Sequence, residues 1–335
     1  MKDDGRVIQV GTKDLLPENA KQTVLHMMGQ HDLRYGEIFK THILGYPCIM
    51  LASPEAARFV LLTKASLFKP TYPKSKERLI GAAALFYQQG PCHSRLRKLV
   101  QASLSLDKIQ RLIPKIEAIV TSALHSWSGG RVVHTFHELK KLTFEVAILV
   151  IFGNLNCKCK EKLKENYYIL DRGYNSFPTK IPGTKYYKSA LARQRLGCLI
   201  KEIVRERLST KRLSAKNLLD CLLSFREESG KMLTDDHVVD NVIGVLFAAQ
   251  DTTASLFTWV LKYITDKDKL LEAIKEEQKN IHEFNDQGLR PLTWAQTRST
   301  PVTNKVILET LRMASIISFT YREATEDVIY DGQLA

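Results

Sequence analysis

One stretch constrains this chain more than any other: Asn241-Val-Ile-Gly-Val-Leu-Phe-Ala-Ala-Gln-Asp-Thr-Thr-Ala-Ser-Leu-Phe-Thr-Trp-Val260. It belongs to a run that Thr234 can open as N-cap, with Asp235 and Asp236 in the first turn, where negative charge suits the helix dipole. The run continues apolar to Tyr263 and Ile264 without a proline. This predicts a single helix of about 45 Å at ~1.5 Å per residue, long enough to cross a whole domain. A helix apolar on nearly all sides must be a central one. Asp251, Thr252 and Thr253 interrupt it at mid-length. A carboxylate and two hydroxyls there cost free energy unless paired, and threonine hydroxyls compete for the carbonyl one turn back. Two readings stand equal at this point: a small structural polar network, or groups the protein uses.

The 335 residues are 44% hydrophobic, 25% charged and 8% aromatic, which suffices for one large domain or two ordinary ones. Outside the central run no apolar stretch reaches the roughly 18 residues of a membrane span, and Phe144 to Phe152 reads as buried helix. Residues 1–22 contain no apolar segment of the signal or anchor kind. Cys48, Cys92, Cys157, Cys159, Cys198 and Cys221 are expected to be reduced thiols. Cys157-Lys-Cys159 lacks the second pair a zinc site needs. The net charge is +13, with basic clusters at Arg95 to Lys98, Lys158 to Lys164 and Arg205 to Lys216. Solvated helix faces account best for the last two. An acidic protein partner or an anionic membrane surface is the sharper reading. Nucleic acid ranks last, because no recognition motif accompanies the charge.

Along the chain, Glu37 to Ala52 reads as a hairpin turning at Gly45-Tyr-Pro47. Ser53-Pro54-Glu55 is a helix start. Lys69 to Gly90, with Pro70, Pro73, Gly81 and Gly90, is expected to be a long loop. Helical spacing resumes at His93, and Pro114 is expected to open a second helix. Helical patterns continue to Leu170, and Gly173 to Gly183 is irregular. Further helices are expected over Ala190 to Lys211, Leu218 to Phe225, Asp266 to Ile281 and Thr303 to Ala314, with a loop from Glu283 to Pro301. Val328-Ile-Tyr330 has strand character before an Asp331-Gly332 turn, but too few residues follow for a return strand to pair properly.

Glu309-Thr-Leu-Arg312 places acid and base on one helix face. Alone this is an ordinary surface pair. Its company changes that: Ala248-Ala-Gln-Asp-Thr-Thr253 precedes it and Arg322, opening a strand, follows it. This order resembles that of the cytochromes P-450, the haem-thiolate monooxygenases. Tyr35 to Gly45 (YGEIFKTHILG), Leu67 to Gly81 (LFKPTYPKSKERLIG), Met313 to Glu323 (MASIISFTYRE) and Pro178 to Thr184 (PTKIPGT) are similar to the plant abscisic acid 8′-hydroxylases. The resemblance implies a mainly α fold with a small β-sheet, the cytochrome P-450 fold. Residues 33–335 would form a partial domain of that kind, incomplete at the C-terminus, behind an atypical segment 1–32 that lacks the family's anchor.

The resemblance also implies roles. Asp251 and Thr252 match the acid–alcohol pair that delivers protons for dioxygen cleavage in a dry pocket. Ala248 and Ala249 leave room over a flat ring, Ala249 standing where the family usually has glycine. Arg97 and Arg322 match ligands of the haem propionates, which the planar guanidinium suits, and His93 stands where many relatives have tryptophan. Glu309 and Arg312 match a structural ion pair. The loop from Pro70 to Phe86, and Ile316 and Ile317, match substrate-contacting regions. The implied cofactor is haem b with its iron. Electrons would come from NADPH through a separate NADPH–cytochrome P-450 reductase, whose acidic surface would meet Arg95 and Lys98. The implied substrate is a small terpenoid-type acid, abscisic acid, and the intact family works on the cytosolic face of the endoplasmic reticulum membrane.

The family's axial thiolate lies in a Phe-x-x-Gly-x-Arg-x-Cys-x-Gly loop, and none of the six cysteines has that context. The expectation is therefore a C-terminally truncated member that does not complete the reaction as written, since the thiolate drives O–O cleavage. One side of the central helix would then expose apolar surface. Two other classes stay open: a non-catalytic truncated product or gene-model fragment, and a basic helical binding module.

Overall fold

The computed structural model describes residues 7–11, 37–127, 132–210, 217–226, 232–314, 316–317, 319–331 and 333–334. A five-stranded sheet comprises β1 (Val7–Gly11), β2 (Ile38–Ile43), β3 (Tyr46–Leu51), β4 (Phe68–Pro70) and β5 (Phe319–Ala324), in the order β2-β3-β1-β5-β4. β1 runs parallel to β3 and antiparallel to β5, so the sheet reaches into the segment 1–32 that the sequence sets apart. The hairpin turns at Leu44-Gly45, both at positive φ (52° and 85°), rather than at Gly45-Tyr-Pro47. Such a primed two-residue turn matches strand twist. Pro47 joins β3 opposite His42, one residue before the first β1 pair at Cys48, so its missing N–H breaks no ladder bond.

Twelve named helices are described: α1 (Pro54–Arg58), α2 (Lys74–Ile80), α3 (Gly90–Ser103), α4 (Leu106–Trp127), α5 (Thr135–Phe152), α6 (Cys157–Tyr174), α7 (Lys185–Ser209), α8 (Leu218–Ser224), α9 (Asp235–Thr265), α10 (Asp268–Phe284), α11 (Trp294–Arg298) and α12 (Pro301–Met313). The Ser53 hydroxyl caps α1 by accepting from the Ala56 amide at 3.2 Å, with Pro54 at the first helical position. The central helix is continuous over 31 residues, and the Thr234 hydroxyl accepts from the His237 amide at 3.3 Å.

Five further expectations are corrected. Lys69 to Gly90 is not one long loop: it holds β4, α2 and a 3-10 turn at Leu85–Tyr87. α2 was hidden by its short length between Pro73 and Gly81. Pro114 lies inside α4, which opens at Leu106. Its lost hydrogen bond falls on an exposed side of the helix, where water can take the freed carbonyl. Glu283 to Pro301 contains α11, which Thr293 and Gln296 start with a reciprocal capping box. Arg322 sits within β5 instead of opening it. The return strand after Asp331 does pair, Ile329 with Leu334 and Tyr330 with Gln333, through a turn with Asp331 at φ 50°.

The main core lies between α5, α6, α7, α8 and the first half of α9, around Phe144, Ile151, Tyr167, Leu196, Leu219 and Val242. A smaller core under the sheet gathers Ile49, Leu51, Ala56, Val60, Phe68 and Val328. From Val238 to Leu246 α9 is largely buried, whereas Phe257 and Leu261 farther on are exposed. Among the described residues no helix is long and apolar enough to cross a membrane. The basic cluster on α6 is partly neutralised internally, Lys160 and Lys164 both meeting Glu145 of α5.

Candidate active site

Asp251 and Thr252 lie where the burial of α9 gives way to a half-open face. The Thr252 hydroxyl donates to the Ala248 carbonyl at 2.7 Å, the local bond a mid-helix threonine prefers. Asp251 is held from another element: its Oδ1 meets Lys140 Nζ of α5 at 2.7 Å, and the same ammonium meets Asp171 Oδ2 of α6 at 2.6 Å. Gln250, fully buried, donates to the Lys140 carbonyl at 3.0 Å, and Thr143 donates to the Gln250 carbonyl at 3.2 Å. One cation thus serves two carboxylates. Burial, followed by the charge of Asp251, pushes the Asp171 pKa up despite Lys140. Burial works against the Lys140 ammonium, yet its bonds to Asp171 and Asp251 outweigh this and raise its pKa. Lys140 and Asp171 escape sequence reasoning because they are far from Asp251 in the chain and neither belongs to a local motif.

A second constellation holds the segment between α2 and α3. The Ala83 amide donates to Asp240 Oδ2 at 3.0 Å, and the Leu85 amide to Asn241 Oδ1 at 2.9 Å. Asn241 Nδ2 donates back to the Ala83 carbonyl at 3.0 Å. Arg193 of α7 ion-pairs with Asp240 from the other side. Gly81, at φ +117°, is required twice over: any Cβ there would strike the Asp240 carboxylate, and the backbone is one that other residues rarely adopt. The clamp seats Phe86 on Gly244, where an added Cβ would come within 3.1 Å of Phe86 Cε2 and 3.3 Å of Ala84 Cβ. Phe86 therefore does reach the central helix, one and two turns before Ala248 and Asp251. On the same side Tyr174, at the end of α6, packs on Phe247 with ring centroids 4.1 Å apart.

The remaining residues are more dispersed. Glu309 and Arg312 form a bidentate pair at 2.6 and 2.8 Å on an exposed face of α12. Ile316 is half-buried and Ile317 exposed. His93 and Arg97 sit one turn apart on α3, so they share a face. Arg322 is half-buried and donates to Thr320 Oγ1 at 2.9 Å and to the Tyr321 carbonyl at 2.7 Å. Among the described residues no ion pair engages Arg97 or Arg322, and burial lowers the Arg322 pKa.

A helix-rich domain threaded by one long helix, with an acid–alcohol pair at its middle and a Glu-x-x-Arg pair on a later helix, is a definite class of protein. The chain belongs to the cytochrome P450 family, whose sequence model matches residues 15–334. It is 59% identical over 301 residues to abscisic acid 8′-hydroxylase 4 of Arabidopsis thaliana, a match covering 90% of this chain and 64% of that relative. It is 59% identical over 302 residues to abscisic acid 8′-hydroxylase CYP707A1 of Solanum lycopersicum, covering 90% of this chain and 63% of the relative. The chain therefore spans less than two-thirds of the length of these relatives. Among solved structures, retinoic acid-bound cyanobacterial CYP120A1 matches with a TM-score of 0.81 at 24% identity, over 96% of this chain and 71% of that one, which shows the shared fold.

The residues present fit the edge and one face of a haem. Arg322 is a partly buried guanidinium with no carboxylate partner among the described residues, a costly state that an anionic propionate relieves. Ala248 is small, half-buried and outside the main core, leaving room on α9 for a flat ring, whereas Ala249 packs on the core.

Proposed function

We propose that this chain carries the oxygen- and substrate-facing half of a haem monooxygenase that hydroxylates abscisic acid at its 8′-methyl group. The observation that carries the reading is the Asp251–Thr252 pair, set in the stretch of α9 where continuous burial gives way to half-buried positions, in a chain 59% identical to abscisic acid 8′-hydroxylases. Haem, when bound, would supply dioxygen activation. Arg97 and Arg322 would hold its propionates, with His93 beside Arg97. Thr252 keeps its proton on the Ala248 carbonyl and can turn it outward by one side-chain rotation. Asp251 keeps Oδ1 on Lys140 while its side chain remains 37% exposed, so the other oxygen can exchange a proton with solvent and pass it to Thr252 Oγ1. Phe86, Phe247 and Tyr174 line the approach with apolar surface and exclude water. Glu309 and Arg312 act structurally. Electrons reach the site from NADPH through a separate reductase, for which Arg95 and Lys98 offer a basic contact, at the endoplasmic reticulum surface.

The test uses residues 1–335 alone and the same residues continued by the C-terminal third of an abscisic acid 8′-hydroxylase. Given haem, NADPH and reductase, the continued chain is expected to convert abscisic acid to its 8′-hydroxy product, read by mass spectrometry. Residues 1–335 alone are expected to give no carbon-monoxide Soret shift of the thiolate kind. A continued chain that shows that shift yet neither binds nor oxidises abscisic acid overturns the proposal.

A further inference from the structure

Among the described residues Lys76 is the one buried lysine, 8% exposed, on the inward face of α2. Its helix neighbours Lys74 and Arg78 face water, as cations on long stems normally do. Among the described residues no carboxylate lies within ion-pair distance of Lys76 and no hydrogen bond engages its Nζ. Instead Nζ stands 4.6 Å from the ring centre of Tyr174 and 5.8 Å from that of Tyr321. Tyr72 closes the box, its ring 5.3 Å from Tyr321 and 5.6 Å, edge-on, from Tyr87. Aromatic faces offset only part of the cost of burying a charge. Burial correspondingly pulls the Lys76 pKa down to about 8. The box is continuous with the candidate active site, because Tyr174 packs on Phe247, one helical turn before Asp251, whose charge Tyr174 feels. A cation with a buried stem, set among aromatic rings beside a substrate-facing wall and with no anion among the described residues, is the complement of a ligand that brings its own.

We propose that Lys76 is the counter-ion for the carboxylate of an acidic substrate, which enters between α2, the end of α6 and β5 and seats its anionic end on Nζ. Naming that acid as abscisic acid rests on the function proposed above. The Tyr174 and Tyr321 rings flank the carboxylate and bar water from it. The hydrocarbon end is left to lie along Phe247 toward Thr252. A lysine at this point selects acids over their esters and alcohols, a discrimination no apolar wall can make.

The experiment measures affinity by isothermal titration calorimetry at neutral pH on the full 335-residue chain, wild type, Lys76→Met and Lys76→Arg. The probes are abscisic acid, its methyl ester, and farnesoic acid, a carboxylate without the abscisic ring. Wild type is expected to bind abscisic acid about tenfold or more tighter than the ester, in the range of close charge pairs. Lys76→Met is expected to abolish that preference while leaving ester affinity in place, and Lys76→Arg to keep it. Unchanged ester affinity in Lys76→Met also shows that the variant is folded. A preference that survives in Lys76→Met refutes the anchor while leaving the substrate reading intact. A Lys76-dependent preference for farnesoic acid over abscisic acid keeps the anchor and removes abscisic acid as the substrate. Absence of any preference for an acid in wild type, or of any binding, overturns the anchor.

Discussion

Lys140→Met tests the network behind Asp251. Lys140 and Asp171 are 16% and 15% exposed at the side chain, whereas Asp251 is 37% exposed. Removing one partner of a buried ion pair costs about 3–5 kcal/mol, because the other charge is left uncompensated. The Asp251 arm is more than a third exposed and is discounted to the ~1 kcal/mol or less of a surface pair. The Asp171 arm is not fully dry, so the loss expected is about 2–4 kcal/mol. The deficit has a pH signature. Asp171 already has a raised pKa through burial and Asp251, and losing Lys140 raises it further. A carboxyl whose folded pKa exceeds its unfolded one binds protons better when folded, so its contribution to stability falls as pH rises through that window. Urea unfolding followed by tryptophan fluorescence should therefore show a small deficit for Lys140→Met near about pH 4 and the full deficit near about pH 8. Adding Asp171→Asn to Lys140→Met should recover most of the loss. A pH-independent deficit that Asp171→Asn does not relieve would show that Lys140 contributes only packing, and the charge argument would fail.

Asp240→Ala should unpin the segment over the central helix and strand Arg193, at a cost of about 3 kcal/mol, and hydrogen exchange should show the Ala83 amide losing protection before those of α9. Gly244→Ala should displace Phe86, since its Cβ would meet Phe86 at 3.1 Å, with a loss of about 1–3 kcal/mol in thermal unfolding. Lys76→Met should make the ligand-free protein more stable. The drop in its pKa from 10.5 to about 8 corresponds to at most about 3–4 kcal/mol, of which the tyrosine faces return about 1–2 kcal/mol. Because the lysine binds its proton more weakly when folded, wild-type stability should gain from this group between pH 8 and 10.5, a rise that Lys76→Met lacks in denaturation curves taken across that range.

Elements with a local cause were legible in the sequence. Ser53-Pro54-Glu55 and Thr234-Asp235-Asp236 state their helix starts in adjacent residues, and the central run could be nothing but a long helix. The candidate pair Asp251–Thr252 was legible because it contradicts its surroundings. What failed locally was what other elements decide. α2 is too short to show a period. Pro114 stays within α4 because its exposed side tolerates the lost bond. Lys140, Asp171, Asp240 and Lys76 look like ordinary surface charges in one dimension, and only packing turns them inward. Lys76 in Lys74-Ser-Lys-Glu-Arg78 is indistinguishable from Lys74 until α2 is laid against α6 and β5.

The uneven burial of α9 has a mechanical consequence. Its first half shares a core with five other helices, while Phe257 and Leu261 in its second half face outward. One covalent rod therefore spans two cooperative units of different stability, since local opening follows the density of buried contacts. Asp251 and Thr252 lie at the seam between them. Fraying can run back from Thr265 and halt at Gln250, which Lys140 and Thr143 bolt to α5. The pair is thus joined to a rigid body on one side and a yielding one on the other, so the hydroxyl of Thr252 can reorient without the protein giving up its core.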